Sequence, residues 1–169
     1  MTKTVQMRPY RSHERETLVR LKQNYARETY RGFLPEANLQ EAEMRRYADG
    51  QVDKWLSEKR CISVIPSGDG LAGYVVYGPE SKESRVGLIT DVGWVQDLTP
   101  EMKRQMVLWA VEELQKMGMQ QEEIWLLRHN LSGRFLFETL GFRCLHDIRN
   151  ILRLGHEFEV VRYQYRQDA

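Results

Sequence analysis

Apolar residues recur at two different spacings along the chain, and the spacing separates helices from strands. A spacing of three or four predicts helices over residues 13–30 and 39–58. Gly32 is expected to end the first helix, because glycine readily adopts the left-handed conformation found after helix C-termini. The pair Asp49 and Gly50 lies inside the second helix and predicts a break or a kink there. An alternating run over residues 4–7 predicts a first strand.

The middle of the chain has strand character. Residues 61–65 and 71–77 are apolar runs on either side of dense turn chemistry at 66–70, which predicts a β-hairpin. Residues 86–95 form the most apolar strand candidate. Gly93, near its end, predicts a bulge or a close approach to the backbone.

The second half of the chain begins with a well-marked helix. Thr99 is expected to cap it, Pro100 suits its first position, and Gly118 is expected to stop it. Its apolar face should pack in a core and consists of Met102, Met106, Val107, Ala110, Val111, Leu114 and Met117.

A strand over residues 123–128 and a short helix follow this long helix. Asn130 or Ser132 is expected to cap the short helix, and Gly141 to end it. Residues 143–154 and 158–166 predict a closing hairpin around Gly155, with a half-buried alternation at 161–166.

The resulting order is β, α, α, β, β, β, α, β, α, β, β. The strand–helix–strand unit over 86–128 implies a parallel crossover, while the hairpins imply antiparallel pairs. The sequence therefore predicts an α/β (α+β) fold. Its central sheet should be mixed and mostly antiparallel, with one parallel pair and about four flanking helices. No repeat or long linker divides residues 1–169, so a single domain is expected.

Composition narrows the classes of partner. The 25 basic and 24 acidic residues nearly cancel, which does not favour a nucleic-acid or membrane-surface partner. The polar N-terminus lacks the apolar segment of a secretory signal, so a cytoplasmic location is expected. Cys61 and Cys144 are predicted to be buried thiols. Neither they nor the four scattered histidines have metal-ligand spacing, so no metal is expected.

Residues 130–142 carry the most specific motif of the chain. Their sequence, NLSGRFLFETLGF, resembles the late signature of the GNAT N-acetyltransferase superfamily, and the match rests on Asn130, Leu136, Glu138, Leu140, Gly141 and Phe142. Residues 7–10 are similar to the entry of the same family, and the order of elements extends the resemblance over nearly the whole chain.

The resemblance implies an acyl-CoA-dependent N-acyltransferase that moves an acetyl group from acetyl-CoA to a primary amine. In such folds two parallel strands splay apart and the pantetheine arm lies along an exposed strand backbone, as a peptide adds to a sheet edge. The pyrophosphate lies at the next helix N-terminus. The cofactor residues implied are Trp94, Val95, Gln96, Lys103, Arg104, Asn130 and Phe137, and the implied general base is Asp91.

The sequence departs from the family pattern at two places. Residues 96–104 contain no glycine, whereas the family has a glycine-rich loop there, and Pro100 removes an N–H group. Phe137 stands where the family often has a tyrosine that protonates the leaving thiolate. Tyr163 or Tyr165 is a candidate replacement.

Two of the site residues also have a purely structural interpretation. Asp91 can be a buried, hydrogen-bonded carboxylate, and Asn130 can be no more than a helix cap. Glu28, Glu80 and Tyr77 are candidates for an acceptor pocket by analogy. The tyrosine-rich strand at 161–165 is a candidate edge for a homodimer. Two other functions remain open: a GNAT-like binding or regulatory module without catalysis, and an unrelated α/β domain.

Overall fold

A computed structural model describes residues 4–166 of the chain. Its strands are β1 Arg8–Pro9, β2 Cys61–Ser67, β3 Gly70–Pro79, β4 Val86–Trp94, β5 Gln121–Leu127, β6 Phe142–Arg153 and β7 His156–Tyr165. Its α-helices are α1 Arg15–Tyr30, α2 Glu41–Ser57, α3 Pro100–Lys116 and α4 Leu131–Thr139. Short 3-10 helices at Ser12–Glu14 and Glu36–Leu39 precede α1 and α2.

The described strands form one mixed sheet in the order β1-β2-β3-β4-β5-β7-β6. The parallel pair is β4–β5, in which Val86–Ile89 lies beside Gln121–Ile124. The β1–β2, β5–β7 and β6–β7 pairs are antiparallel. The predicted fold class, a mostly antiparallel sheet with one parallel pair and about four helices, is confirmed.

Internal contacts divide the chain into two compact units, which are described separately. The first comprises the residues up to Val76 together with 92–106, and the second comprises 77–91 and the residues from 107 onward. Among the described residues, no helix is long and apolar enough to cross a membrane.

The core of the first unit packs α1 and α2 against apolar residues of β2 and β3. Its buried residues are Leu18, Val19, Leu21, Ala48, Val52, Trp55, Ile62, Val64, Leu71, Tyr74 and Val76. The first six of them lie on α1 and α2 at helical spacings, as expected for helices that bury one face.

Helix α2 runs without interruption through Asp49 and Gly50, so the predicted break is wrong. Asp49 accepts hydrogen bonds from Arg15 at 2.9 Å and from Arg45 at 3.1 Å. These ion pairs join the turn containing the glycine to α1 and to the preceding turn of α2. Tertiary contacts therefore outweigh the low helix propensity of glycine.

The first strand is β1, Arg8–Pro9, and not residues 4–7 as predicted. Arg8 lies opposite Val64 and Pro9 opposite Ser63, at the outer edge of the sheet. Proline is tolerated at an edge because an edge strand has a neighbour on one side only, so an N–H group on the other side has no strand to bond to. The amide of Val5 instead donates to the side chain of Gln105 at 2.7 Å.

The carboxylate of Glu14 anchors this edge strand and makes stability depend on pH. Arg8 donates to it at 2.8 and 2.6 Å, and the Arg11 amide donates at 2.9 Å. The Arg8 hydrogen bonds lower the pKa of Glu14 from 4.5 to about 2. Because the folded pKa is depressed, the stabilisation is present above about pH 4.5 and is lost as the pH falls towards 2.

We therefore expect Glu14→Gln to lower the melting temperature at neutral pH and to have little effect near pH 2. Thermal unfolding of both proteins across that range measures the difference. A deficit in melting temperature that does not change with pH would contradict this assignment.

Three further details of the structure differ from the sequence predictions. Met117, predicted to be a core residue, is 41% exposed because it follows the last turn of α3. Cys61 in the first unit and Cys144 in the second are only partly buried, so the prediction of buried thiols is wrong. Strand β7 pairs with β5 on one side and β6 on the other, so residues 161–165 form no edge.

Candidate functional site

A cavity of about 530 Å³ lies in the first unit, where α1 faces the end of β4 and the start of α3. Four of the predicted cofactor residues line it, namely Trp94, Val95, Gln96 and Lys103. Helix α1 supplies the rest of the lining through Leu21, Asn24, Tyr25, Arg27 and Glu28. The structure thus brings together residues that the sequence placed on a strand end, a loop and a helix.

An aromatic and cationic group forms one wall of this cavity. The Tyr25 ring meets the Trp94 ring edge-on, with centroids 5.3 Å apart. The Lys103 ammonium nitrogen lies 5.1 Å from the centroid of the Trp94 ring, within the range of a cation–π interaction. Among the described residues, Lys103 forms no ion pair. The Lys103 ammonium group therefore contacts the Trp94 ring, is not neutralised by a described carboxylate and can bind an anion.

The backbone at the end of β4 has one side already occupied. The Val95 amide donates to the Ala72 carbonyl at 2.9 Å, and the Val95 carbonyl accepts from the Leu98 amide at 3.1 Å. Successive residues of a strand direct their backbone groups to opposite edges. Of the two residues predicted to bind a pantetheine arm through the backbone, Trp94 is therefore the one whose groups face away from β3.

Gly93 lies directly beneath a buried tyrosine ring. A Cβ atom at this position would lie 2.3 Å from Cε1 of Tyr74 and 2.6 Å from its hydroxyl oxygen. Tyr74 is fully buried and packs against Trp55, with centroids 5.5 Å apart. The close approach, one of the two roles predicted for Gly93, is therefore present, and the Tyr74 ring makes it.

The start of α3 offers few free amide groups. The Thr99 hydroxyl accepts from the Met102 amide at 3.2 Å, which confirms the predicted cap. Pro100 has no N–H group, and the Met102 amide already donates to Thr99. Of the first three residues of α3, only Glu101 therefore has an amide that is available to a ligand. The Glu101 carboxylate lies 3.5 Å from Arg104, whose charge it partly neutralises. Arg104, predicted to bind cofactor, is not among the residues that line the cavity.

The remaining predicted site residues belong to the second unit. Asp91 is half-buried in β4, two residues after the last pair of the parallel ladder, Ile89 with Ile124. Asn130 caps α4, and its side-chain oxygen accepts from the Gly133 amide at 3.1 Å. Phe137 is 1% exposed and packs edge-on against Phe142, with centroids 5.1 Å apart.

Tyr163, a candidate replacement for the tyrosine missing at position 137, is held by two charged side chains. Its hydroxyl accepts from Arg134 at 2.8 Å and donates to Glu138 at 2.7 Å. Burial raises the pKa of Tyr163 above its ordinary value of 10.0. Its proton is thus committed to Glu138. The other candidate, Tyr165, packs against the Phe142 ring.

Sequence reasoning missed most of the α1 side of the cavity. Glu28 was a candidate for an acceptor pocket and does line it, whereas Tyr77 is buried against Trp109. Asn24 and Arg27 were not predicted. The available signal was the spacing of three or four residues that joins Leu21, Asn24, Arg27 and Glu28 along one side of α1. Nothing in the sequence distinguishes such a row from an ordinary solvated helix face.

Comparisons with known proteins identify the fold. No family model matches the sequence, and no curated protein matches it. The PaiA N-acetyltransferase from Thermoplasma acidophilum, solved with coenzyme A, is 15% identical. The match covers 96% of this chain and 100% of that one, with a TM-score of 0.73. The Escherichia coli ribosomal-protein-S18-alanine N-acetyltransferase is 11% identical over 95% and 92% of the two chains, with a TM-score of 0.68.

An acetyltransferase from Bacillus subtilis, also solved with CoA, is 24% identical over 69% of this chain and 82% of that one, with a TM-score of 0.54. At these identities the comparisons show the fold alone. The chain has the fold of the GNAT N-acetyltransferases, as the motif at residues 130–142 predicted.

Proposed function

We propose that residues 1–169 form a single acyl-CoA-dependent N-acyltransferase domain that transfers an acetyl group from acetyl-CoA to a primary amine. The observation that carries this proposal is the cavity at the end of β4, which four predicted cofactor residues line. Two structures with the same fold, the Thermoplasma and Bacillus proteins, are complexes with coenzyme A. Fold and cavity together favour a CoA thioester as the acyl donor.

The residues of the cavity fit the donor in part. The Trp94 backbone, directed away from β3, suits the amide groups of a pantetheine arm, which bind as an added strand does. The Lys103 ammonium suits a phosphate oxygen. Gln96 is exposed, lines the same cavity and provides a neutral hydrogen-bonding group.

The reaction needs one base and no covalent enzyme intermediate. The amine nitrogen attacks the thioester carbonyl, the new C–N bond forms, the C–S bond breaks and the CoA thiolate leaves. We assign the proton released from the amine to Asp91, directly or through water, because it is the carboxylate carried by β4. The main contribution of the protein is to hold the two reactants together in a productive orientation.

The start of α3 favours a second candidate function. Pro100 lacks an N–H group and Thr99 already occupies the Met102 amide, so this helix offers a pyrophosphate fewer donors than an uncapped helix start. A GNAT-like domain that binds a ligand or partner without transferring an acyl group would retain the cavity. It would not need backbone N–H groups at the start of α3 to bind a pyrophosphate.

Calorimetric titration with acetyl-CoA, followed by measurement of thiol release with a panel of primary amines, separates the two candidates. The enzyme proposal expects saturable binding, thiol release that depends on the amine, and a large loss of rate in Asp91→Asn with little change in acetyl-CoA affinity. Binding without thiol release would favour the second candidate. The absence of both heat and thermal stabilisation at millimolar acetyl-CoA would exclude the proposed activity.

A further inference from the structure

A second cavity of about 590 Å³ lies between α1 and α2 in the first unit. It is lined by Arg20, Gln23, Asn24, Arg27, Glu41, Ala42 and Arg45. Asn24 and Arg27 also line the cavity at the end of β4. Because these two residues are three apart on α1, they form one ridge of that helix, and both cavities border on this ridge.

Most charges around the second cavity are balanced by neighbours. Arg45 donates to Glu16 at 2.7 Å and to Asp49 at 3.1 Å, and Arg20 lies 3.4 Å from Glu16. The Glu41 carboxylate occupies the first turn of α2, where the positive end of the helix dipole stabilises it.

Arg27 differs from these residues. Its Nε donates to the Leu39 carbonyl at 3.2 Å, which holds the guanidinium group in place and leaves both terminal nitrogens for another acceptor. In the part of the chain that the structure describes, no carboxylate forms an ion pair with Arg27. An oriented, unbalanced guanidinium group at the border of two cavities is suited to bind a carboxylate through two parallel hydrogen bonds.

The first cavity contains a second unbalanced cation, Lys103. Its one lining carboxylate, Glu28, is paired with Arg31 at 3.1 Å. Lys103 stands at the start of α3 beside Trp94, and Arg27 stands on α1 beside the second cavity. The two cations are carried by different helices, so they can bind different groups.

We propose that Arg27 binds a carboxylate group of the acceptor, so that the preferred substrate is a primary amine that also carries a carboxylate. This inference rests on the proposed acyltransferase function and names its substrate class. A diamine would place a second positive charge near Arg27 and Lys103 and should be a poor acceptor.

The test compares three amines with the same four-carbon chain, namely 4-aminobutanoate, butylamine and 1,4-diaminobutane, with acetyl-CoA as donor. We expect kcat/KM to be at least about tenfold higher for 4-aminobutanoate than for butylamine, since a hydrogen bond to a charged group contributes that much discrimination, and lowest for the diamine. Arg27→Gln should remove the preference by raising KM for 4-aminobutanoate, with the affinity for acetyl-CoA unchanged.

Arg46→Gln is the matched control, because Arg46 is an exposed arginine on α2 that pairs with Glu43 and lines neither cavity. It should keep the preference. Equal rates for the three amines, a preference for the diamine, or a weaker affinity of Arg27→Gln for acetyl-CoA would overturn the inference while leaving the acyltransferase proposal intact.

If no amine is acetylated, the acyltransferase proposal fails, and binding still decides the role of Arg27. Titration of 4-aminobutanoate followed by amide NMR should then shift signals of residues 24–27 in the wild type and not in Arg27→Gln. The absence of any such shift would overturn the carboxylate site as well.

Discussion

Gly93→Ala is expected to lower the free energy of unfolding by about 3 kcal/mol, at the upper end of the cost of overpacking a core. The added Cβ would lie 2.3 Å from Cε1 of Tyr74, well inside any tolerated contact. The Tyr74 ring cannot move freely, because it is fully buried and packs against Trp55. Either the ring or the β4 backbone must shift, and a backbone shift would also displace Trp94 from the cavity wall.

Urea unfolding monitored by circular dichroism measures this change. Gly50→Ala is the matched control, because its Cβ would meet no atom within 4 Å. It lies in the interior of α2 and should raise stability by about 0.5–1 kcal/mol. Combining Gly93→Ala with Tyr74→Leu removes the ring atoms that clash. The double mutant should therefore be more stable than the sum of the two single changes predicts. Strict additivity would mean that the Tyr74 ring does not set the requirement for glycine.

Lys103→Glu is expected to weaken acetyl-CoA binding by roughly a hundredfold, or about 2.7 kcal/mol. The substitution replaces the cation above the Trp94 ring by an anion in a cavity proposed to receive a phosphate group. It also removes the cation–π contact with Trp94, so a small decrease in the free energy of unfolding is expected as well. Calorimetry at low ionic strength should show the largest difference between the two proteins, since salt screens the interaction.

Two other charge reversals on α3 give this experiment its controls. Arg104→Glu alters the adjacent residue, which lies 3.5 Å from Glu101 and does not line the cavity, so a smaller loss is expected. Lys116→Glu changes the last turn of the same helix, where Lys116 pairs with Glu113, and should leave affinity unchanged. Equal losses in all three variants would show that net charge, and not a contact made by Lys103, governs binding.

Local patterns predicted most of the helices and strands, because each depends on residues close together in sequence. Thr99 caps α3 and Asn130 caps α4, as expected. In each case a side-chain oxygen accepts a hydrogen bond from a backbone amide in the first turn of the helix. Gly118 adopts the positive φ of 88° that a helix-terminating glycine requires. The errors arose where distant residues decide the outcome, as at Gly50, where ion pairs of Asp49 with Arg15 and Arg45 accompany an unbroken helix.

The candidate site was only half predictable for the same reason. The resemblance to the GNAT family implied Trp94, Val95, Gln96 and Lys103 as cofactor residues, and the structure brings them to one cavity. Arg27 was not, since an arginine on a polar helix face has the same local pattern whether it is solvated, paired or directed into a cavity. Its proposed role depends on the hydrogen bond that orients its guanidinium group, which it donates to the Leu39 carbonyl, and on the lack of an ion pair with any described carboxylate.

The amino-acid sequence by itself determined the order of the elements, the parallel crossover and the motif at residues 130–142, because periodicity, caps and turns are properties of neighbouring residues. The tertiary structure alone decided that Gly93 lies beneath Tyr74, that β7 is an interior strand and that α1 lines two cavities. Each of these features depends on which residues from distant parts of the sequence pack against each other, pair with each other or stay unpaired in the folded chain. Close packing and charge balance are settled only when the chain is folded.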